Sequence, residues 1–538
     1  MSKTEFDYII IGGGSAGCVL AARLSEDPEV TVCLLEAGGQ GDQWTVNIPA
    51  ACVVSLPTKI NNWAFKTVPQ KGLNGRKGYQ PRGKCLGGSS SINAMIYIRG
   101  HKNDYDQWAA QGNIGWSYDE VLPYFIRSEK NNRIHNKFHG NDGPLSVTDV
   151  QSDNIFHQRY TEAARAQGHK VLDDFNGAEQ EGLGVYQVTH INGERCSVAR
   201  AYLFPHLNRP NLTVFTKATT HRIVIENKVA TGVEVQHAGQ LKVLKAQREV
   251  LLSAGAIQSP QILMLSGIGE QTELQAYGIE LKHHLPGVGK NFHDHPDFIF
   301  GYSVKEYQGT FGISIPGSMD MLKQIGRYRK ERRGMIASNF AECGGFLKTS
   351  PELEIPNLQL HFVVALVDDH ARKFHASHGL SCHVCLLNPR SRGTIKISGS
   401  SIHDPLLIDP NFLGDDQDVE DLVQGFKITQ QLMLSPALAG HYKQDLFTSL
   451  VKTDDDIRAI LRQRVDTVYH PVGSCKMGID EMAVVDPELK VYGIQNLRVV
   501  DASIMPSVVN GNTNAPTVMI AEKAVDMIRQ AQQQSKVA

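Results

Sequence analysis

An apolar run, Tyr8-Ile9-Ile10-Ile11, leads straight into Gly12-Gly13-Gly14-Ser15-Ala16-Gly17, a G-x-G-x-x-G spacing. Each glycine has a separate task at the entrance to a dinucleotide site. Gly12 permits a tight turn, Gly14 lets backbone approach a pyrophosphate, and Gly17 lets the next helix, expected over 15–26, lie close on its strand. The free amides at that helix start face the phosphates. Glu36 closes a second apolar run, Val30 to Leu35. It lies about 20 residues beyond the glycines, where a carboxylate accepts the ribose hydroxyls and repels a 2'-phosphate. FAD or NAD fits this arrangement, and NADP fits poorly.

The same letters, Gly13-Gly14-Ser15-Ala16-Gly17, also spell G-x-S-x-G, the nucleophile elbow of α/β-hydrolases. An elbow serine follows several earlier strands, one of which donates the oxyanion hole, and only one strand precedes Ser15. Hydrolysis is therefore disfavoured. Two more clusters carry metal-ligand letters. Cys382-His383-Val384-Cys385 has no second ligand pair and lies in an apolar stretch, Leu380 to Leu387, so it reads as buried thiols in a strand. His293-Asp294-His295 has no matching partner cluster and reads as hydrogen-bonded structural histidines.

A flavin needs its ring held as well as its phosphates. Gly83-Lys84-Cys85-Leu86-Gly87-Gly88-Ser89-Ser90-Ser91-Ile92-Asn93 offers backbone free of side chains at Gly87 and Gly88, then hydroxyls such as Ser89 and an amide that bond a polar heterocycle. A plain glycine-serine turn is the bland alternative.

The elements that position these groups alternate between strand and helix, without repeats. A chain of 538 residues suits two interleaved domains with large cores. Glu249 to Gly255 reads as a buried strand, followed by a helix beginning near Ser259-Pro260 with proline at its first position. Asn496 to Asp501 reads as another strand, and Ala515 to Gln530 has helical apolar spacing. Both ends thus supply α/β elements. In the middle, Leu358, Leu360, Phe362, Val364 and Leu366 alternate with Gln359, His361 and Val363, the period of a sheet with one better-buried face. The expected fold is α/β, a Rossmann-like dinucleotide domain interleaved with a second, sheet-based domain. The first would take residues 1–150, 211–300 and 461–538, the second 151–210 and 301–460.

Several further stretches, met in order, resemble the signatures of the glucose-methanol-choline oxidoreductases. They are Gly83 to Asp106, Gly255 to Pro260 with Ser266 to Gly269, Gly289 to His295, Tyr469-His470-Pro471-Val472-Gly473-Ser474, and Gly511 to Thr517. The similarity runs from Asp7 to about Arg529 and looks strongest to the FAD-dependent alcohol dehydrogenases of alkane degradation and to choline dehydrogenase. The resemblance implies an FAD enzyme that oxidises an alcohol to an aldehyde, its second domain a substrate domain built on an antiparallel sheet with helices. An alcohol yields hydride only as its hydroxyl proton leaves, so a base of near-neutral pKa belongs beside the flavin. His470 matches the family's base, and Asn514 falls at its second active-site position, holding the substrate oxygen. Carried over by motif, the cofactor contacts are Ser15, Ala16, Glu36, Gly88, Asn93, Ala94, Met95, Asp501, Ala502 and Thr517. Thr220 falls where relatives hold the adenine through a valine. Some relatives link FAD through a histidine just before the motif's asparagine, and Ile92 stands there, so the FAD is expected to be non-covalent. Val468 lies two before His470 and, in extended chain, points to the same face.

No middle-domain motif fixes the substrate. Basic and acidic residues nearly balance, 54 against 56, which suggests no nucleic acid partner and no cage for a quaternary ammonium. An uncharged primary alcohol, aliphatic or aromatic, is favoured. The electrons go to a quinone or another carrier, artificial ones included, with oxygen as the alternative. A choline dehydrogenase-like enzyme, a flavin-containing lyase, an NAD-dependent dehydrogenase and a flavoprotein without alcohol activity are the rival readings. Scattered cysteines, a polar start and no run of transmembrane length point to the cytoplasm. Asp320 to Arg333, with Lys323, Arg327, Arg329, Lys330, Arg332 and Arg333, has the pattern of a basic amphipathic helix. Such a helix rests on an anionic membrane in some proteins, although a solvated face is commoner. Thr453-Asp454-Asp455-Asp456 reads as a helix start. Oligomeric state leaves no readable signal.

Overall fold

The computed structural model describes residues 3–537. Strand Glu5–Ile11 pairs in parallel with Val32–Leu35 on one side and Gln240–Leu252 on the other. Leu212–Phe215 extends the sheet past Val32–Leu35, and Leu497–Val499 joins residues 250–252 in parallel. The other end of the long strand Gln240–Leu252 runs antiparallel to Val229–His237, which pairs in turn with Ala218–Glu226. Parallel strands are covered on both faces and so read as unbroken apolar runs, which is why Ile9, Ile10 and Ile11 are all buried. Helix Ser15–Leu24 stops two residues short of the expected end and packs on the C-terminal helix Asn514–Val537.

The helix expected to open at Ser259-Pro260 begins four residues earlier, as Gly255–Leu265, and carries Pro260 in its interior. Proline has no N–H to return to the carbonyl four residues back. That carbonyl, on Ala256, is met by the Ser474 hydroxyl instead. A tertiary donor thus satisfies the carbonyl that the proline leaves without an intrahelical partner.

A second sheet is antiparallel, in the order Cys343–Leu347, Leu358–Val363, Gly379–Leu386, Pro296–Val304, Tyr442–Asp445. Short strand Asp466–Thr467 also pairs with Pro296–Val304, so the chain after residue 461 visits this sheet before returning to the first. Leu358, Leu360 and Phe362 enter the core under helix Asp416–Met433, where Gly425 leaves room for Leu358 and Val384. Every residue of Leu358–Val363 is buried, unlike the one-sided pattern expected. The opposite face, with His361 and Val363, is covered because it walls the cavity described below.

Cys382 and Cys385 are buried free thiols within Gly379–Leu386. Among the described residues no group of His, Cys, Asp and Glu is arranged to hold a metal, and no helix is long and apolar enough to cross a membrane. Thr453 caps helix Asp454–Arg464, its hydroxyl accepting from the Asp456 amide while Asp456 accepts from the Thr453 amide.

Candidate active site

The two sheets enclose a long cavity. Its first end is lined by Gly12, Gly14, Ser15, Ala16, Glu36, Thr220, Ser253 and Asp501. Gly12 has φ +98°, open to glycine at little cost, and a Cβ there would press on the Ser253 carbonyl. A Cβ on Gly17 would collide with the Gly12 carbonyl oxygen. Gly17 therefore sets the closeness of helix and strand without lining the cavity itself. Gly14, the N-cap, brings no side chain, so the first helix amides stay open to an anion. Glu36 accepts the Gly13 amide at 2.9 Å and the Gly38 amide at 2.7 Å, one on each carboxylate oxygen. Each oxygen keeps a further lone pair for a ribose hydroxyl. Burial raises the Glu36 pKa, and the two amides oppose that shift. Thr220 Oγ1 and Ser253 Oγ are buried without a protein partner. Open amides, spare lone pairs and orphaned hydroxyls along one cleft are what a dinucleotide would satisfy.

The middle of the cavity is walled by Gly88, Ser89, Ile92, Asn93, Ala94, Met95, Ala502 and Thr517. Gly87 stands behind them, with φ +87° and its amide donating to the Gly13 carbonyl at 2.7 Å, so the two glycine turns are tied together. A Cβ on Gly88 would meet the Gly14 Cα. Asn93 Oδ1 accepts from the Met95 amide at 3.0 Å and from Arg195 Nη1 at 2.8 Å. Asp501 holds three groups, accepting the Ser259 hydroxyl at 2.6 Å, the Gly255 amide at 2.9 Å and the Ser503 amide at 2.8 Å. Its carboxylate thereby locks the strand end to helix Gly255–Leu265.

At the far end lies His470, and the side chain against its imidazole is Asn512 rather than Asn514. Asn512 Nδ2 meets His470 Nε2 at 3.0 Å, and Asn512 Oδ1 accepts from Gln359 Nε2 at 3.0 Å. Gln359 fixes the amide so that its NH₂ faces the ring. Asn514, expected there, opens the C-terminal helix, and its Oδ1 accepts the Ser15 hydroxyl at 2.7 Å. Both asparagines line the cavity, Asn512 against His470 and Asn514 against Ser15. Nothing in linear spacing separates them.

With Nε2 accepting from Asn512, the His470 proton sits on Nδ1, which lies 3.1 Å from His295 Nδ1. His295 thus holds the tautomer whose Nε2 lone pair is directed at the Asn512 amide, on the cavity side of the ring. The H-D-H run is structural in a specific sense. His293 Nδ1 donates to the Asn291 carbonyl at 2.6 Å, and its Nε2 accepts the Val508 amide at 2.9 Å. Asp294 accepts the His470 amide at 2.8 Å and the Thr467 hydroxyl. Tyr469 sits at φ +78°, a strained conformation for a residue with a side chain, and is held by Arg82 Nη2 on its carbonyl at 2.8 Å and His370 on its hydroxyl at 2.7 Å. Val468 lines the cavity, as extended geometry implied.

Burial, with His295, His361 and Arg82 nearby, holds the His470 pKa well below the ordinary imidazole value. The expectation of a base near neutral pKa differs on this point, because the ring is enclosed. Burial likewise brings His295 and His361 down to about 3 and Arg82 to about 10. The His470 end of the cavity mixes apolar Phe340, Val363, Ala365, Leu366 and Val367 with polar Asn339, His361, His370 and His383. Asp297, the carboxylate behind this wall, is taken by His383 Nδ1 at 2.6 Å.

Sequence reasoning missed Asn512, Gln359, His361 and His295. One signal was present for two of them: polar Gln359 and His361 alternate through a strand whose other positions are strongly apolar, and polar groups inside a sheet that is buried on both faces call for partners.

Two matches to the GMC oxidoreductase family cover residues 6–297 and 389–521. The chain is 44% identical to an alcohol dehydrogenase [acceptor] of Pseudomonas putida, over 97% of this chain and 95% of that one. It is 41% identical to a mitochondrial choline dehydrogenase of Mus musculus, over 98% of this chain and 90% of that one. Among solved structures, a formate oxidase of Aspergillus oryzae RIB40, studied for modification of its FAD, is similar with a TM-score of 0.91 at 28% identity, covering 99% of this chain and 100% of the other. With its two-sheet architecture, glycine-lined dinucleotide cleft and matches at both ends of the sequence, the chain belongs to the GMC oxidoreductase family.

Proposed function

We propose that the protein oxidises an uncharged primary alcohol, aliphatic or aromatic, to its aldehyde with FAD as cofactor, and that a quinone or another carrier takes up the electrons. The observation that supports this most is a neutral imidazole, His470, with its Nε2 beside an amide donor, at the end of a cavity continuous with the dinucleotide cleft. FAD, when bound, supplies the acceptor for the hydride of the carbinol carbon. An alcohol oxygen that inserts between His470 and Asn512 displaces the Asn512 NH₂ from His470 Nε2, so that Nε2 takes the hydroxyl proton while the amide holds the oxygen as charge builds on it. His295 keeps the base in the right tautomer.

The carboxylates lining the cavity, Glu36 and Asp501, are engaged at its nucleotide end, and Asp297 is paired with His383. A quaternary ammonium such as choline therefore meets no carboxylate lining the His470 end of the cavity, which favours a neutral alcohol. The test is the visible spectrum of the purified protein under anaerobic conditions with a panel of alcohols, choline included. Bleaching by simple primary alcohols at concentrations where choline leaves the spectrum unchanged is the expected outcome. A spectrum indifferent to every alcohol defeats the proposal, and preferential bleaching by choline moves it to choline oxidation. Repeating the assay with a quinone or with oxygen identifies the acceptor.

The cofactor is held without a covalent bond in this reading. Ile92, buried and lining the cavity, has no atom that can form one. Acid precipitation should leave the flavin in the supernatant, and a yellow pellet that survives washing would contradict it. Nine free, buried cysteines suit a reducing compartment, and the cytoplasm is part of the same proposal.

A further inference from the structure

The helix foreseen around the basic stretch is Ile315–Glu331, and it sits the unusual way round. Gly317, Gln324 and Tyr328 face inward. A Cβ on Gly317 would meet the His378 ring, Gln324 Oε1 accepts the Met335 amide at 3.3 Å, and the Tyr328 hydroxyl donates to the Gly193 carbonyl at 3.2 Å. Those contacts fix the rotation of the helix. They leave Ile315, Met319 and Leu322, at i, i+4 and i+7, along its outer side with relative exposures of 83%, 64% and 72%. Ile313, just before the helix, is 58% exposed and continues the strip. A soluble surface ordinarily turns such a stripe inward.

The charges beside the strip divide into two sets. Arg327, Arg332 and Arg333 are paired with Asp153 or Glu194 on the body of the protein. Lys323, Arg329 and Lys330 are exposed, flank the apolar strip, and make no ion pair among the described residues. Long cationic side chains bordering an apolar strip can reach lipid headgroups while the strip enters the acyl boundary.

The strip also continues into the active-site wall. Phe311 pairs through its backbone with Ala365 and stacks edge-on against Phe340, with ring centroids 4.1 Å apart, and both Ala365 and Phe340 line the cavity. The next segment supplies Leu366 and Val367 to that wall and leaves Phe374 68% exposed.

We infer that helix Ile315–Glu331 docks the protein on the surface of an anionic lipid bilayer, with the apolar strip inserted and Lys323, Arg329 and Lys330 on the headgroups. The inference concerns a surface and does not depend on which alcohol is oxidised. Its test is flotation of the flavin-loaded full chain with phosphatidylcholine vesicles, with and without phosphatidylglycerol, at low and high salt. The expected result is flotation with the phosphatidylglycerol vesicles only, lost at high salt. The double variants Met319→Glu/Leu322→Glu and Lys323→Glu/Lys330→Glu should each lower binding about tenfold or more, with the flavin spectrum unchanged. Failure of the wild type to float, or flotation that both variants keep, overturns it. So does a lipid-free dimer that Met319→Glu/Leu322→Glu converts to monomer while vesicle binding is absent, since the strip would then be covered by a second copy.

Discussion

Replacing His470 by alanine is expected to slow reduction of the bound flavin by alcohol, measured in a single turnover, by ~10²- to 10⁴-fold, the usual contribution of a positioned base. That corresponds to about 3–5 kcal/mol of barrier. The loss should fall on the chemical step, because His470 Nε2 faces the reacting end of the cavity while the dinucleotide contacts lie on other residues. The pH profile adds a second check. The folded-state pKa of His470 lies well below 6.5, so the imidazole stays unprotonated as the pH falls from 8 through 6.5. The reduction rate of the wild type should therefore remain level across the range where a free imidazole would be lost as a base. An alanine variant that bleaches at the wild-type rate would remove His470 from the mechanism. A wild-type rate that halves at pH 6.5 would show that cofactor and substrate reverse the effect of burial.

The second large effect separates two neighbouring asparagines. Asn512→Ala is expected to lower the reduction rate by ~10²- to 10³-fold, as loss of one donor to a developing oxyanion does. It also removes the partner that keeps Nε2 as acceptor. Asn514→Ala breaks a 2.7 Å hydrogen bond to Ser15 at the start of the nucleotide helix and should weaken FAD retention instead, leaving the rate of the loaded enzyme within a few-fold. Rate and cofactor affinity, measured on both variants, thus give opposite patterns. If Asn514→Ala carries the large rate loss and Asn512→Ala does not, the roles assigned from the geometry are exchanged.

The difficulty with this pair marks where linear reading stops. Motif spacing brought the site to Gly511–Thr517, and the strand, turn and helix around Gly12 were legible because short-range sterics alone demand glycine there. Glu36 was legible for a related reason, since one strand–helix–strand unit with paired parallel strands fixes its distance from Gly13. The position of Asn512 depends instead on Gln359 and His470, which lie 153 and 42 residues away along the chain. His295 faces His470 across 175 residues, and the proline at position 260 is tolerated because a serine more than two hundred residues later reaches the Ala256 carbonyl.

By itself, then, the sequence determined the glycine-rich entrance, the alternation of strands and helices, the two kinds of sheet and the stretch that carries His470. These follow from local sterics and from apolar periodicity, which act over a few residues. The tertiary structure decided which amide meets the imidazole, which ring nitrogen accepts, that burial lowers its pKa, and which side of helix Ile315–Glu331 looks outward. Each of these depends on where distant side chains close a cavity or fix a rotation. A hydrogen bond a few ångströms long, or the exclusion of water from one ring, is set by packing in three dimensions and leaves no period along the chain.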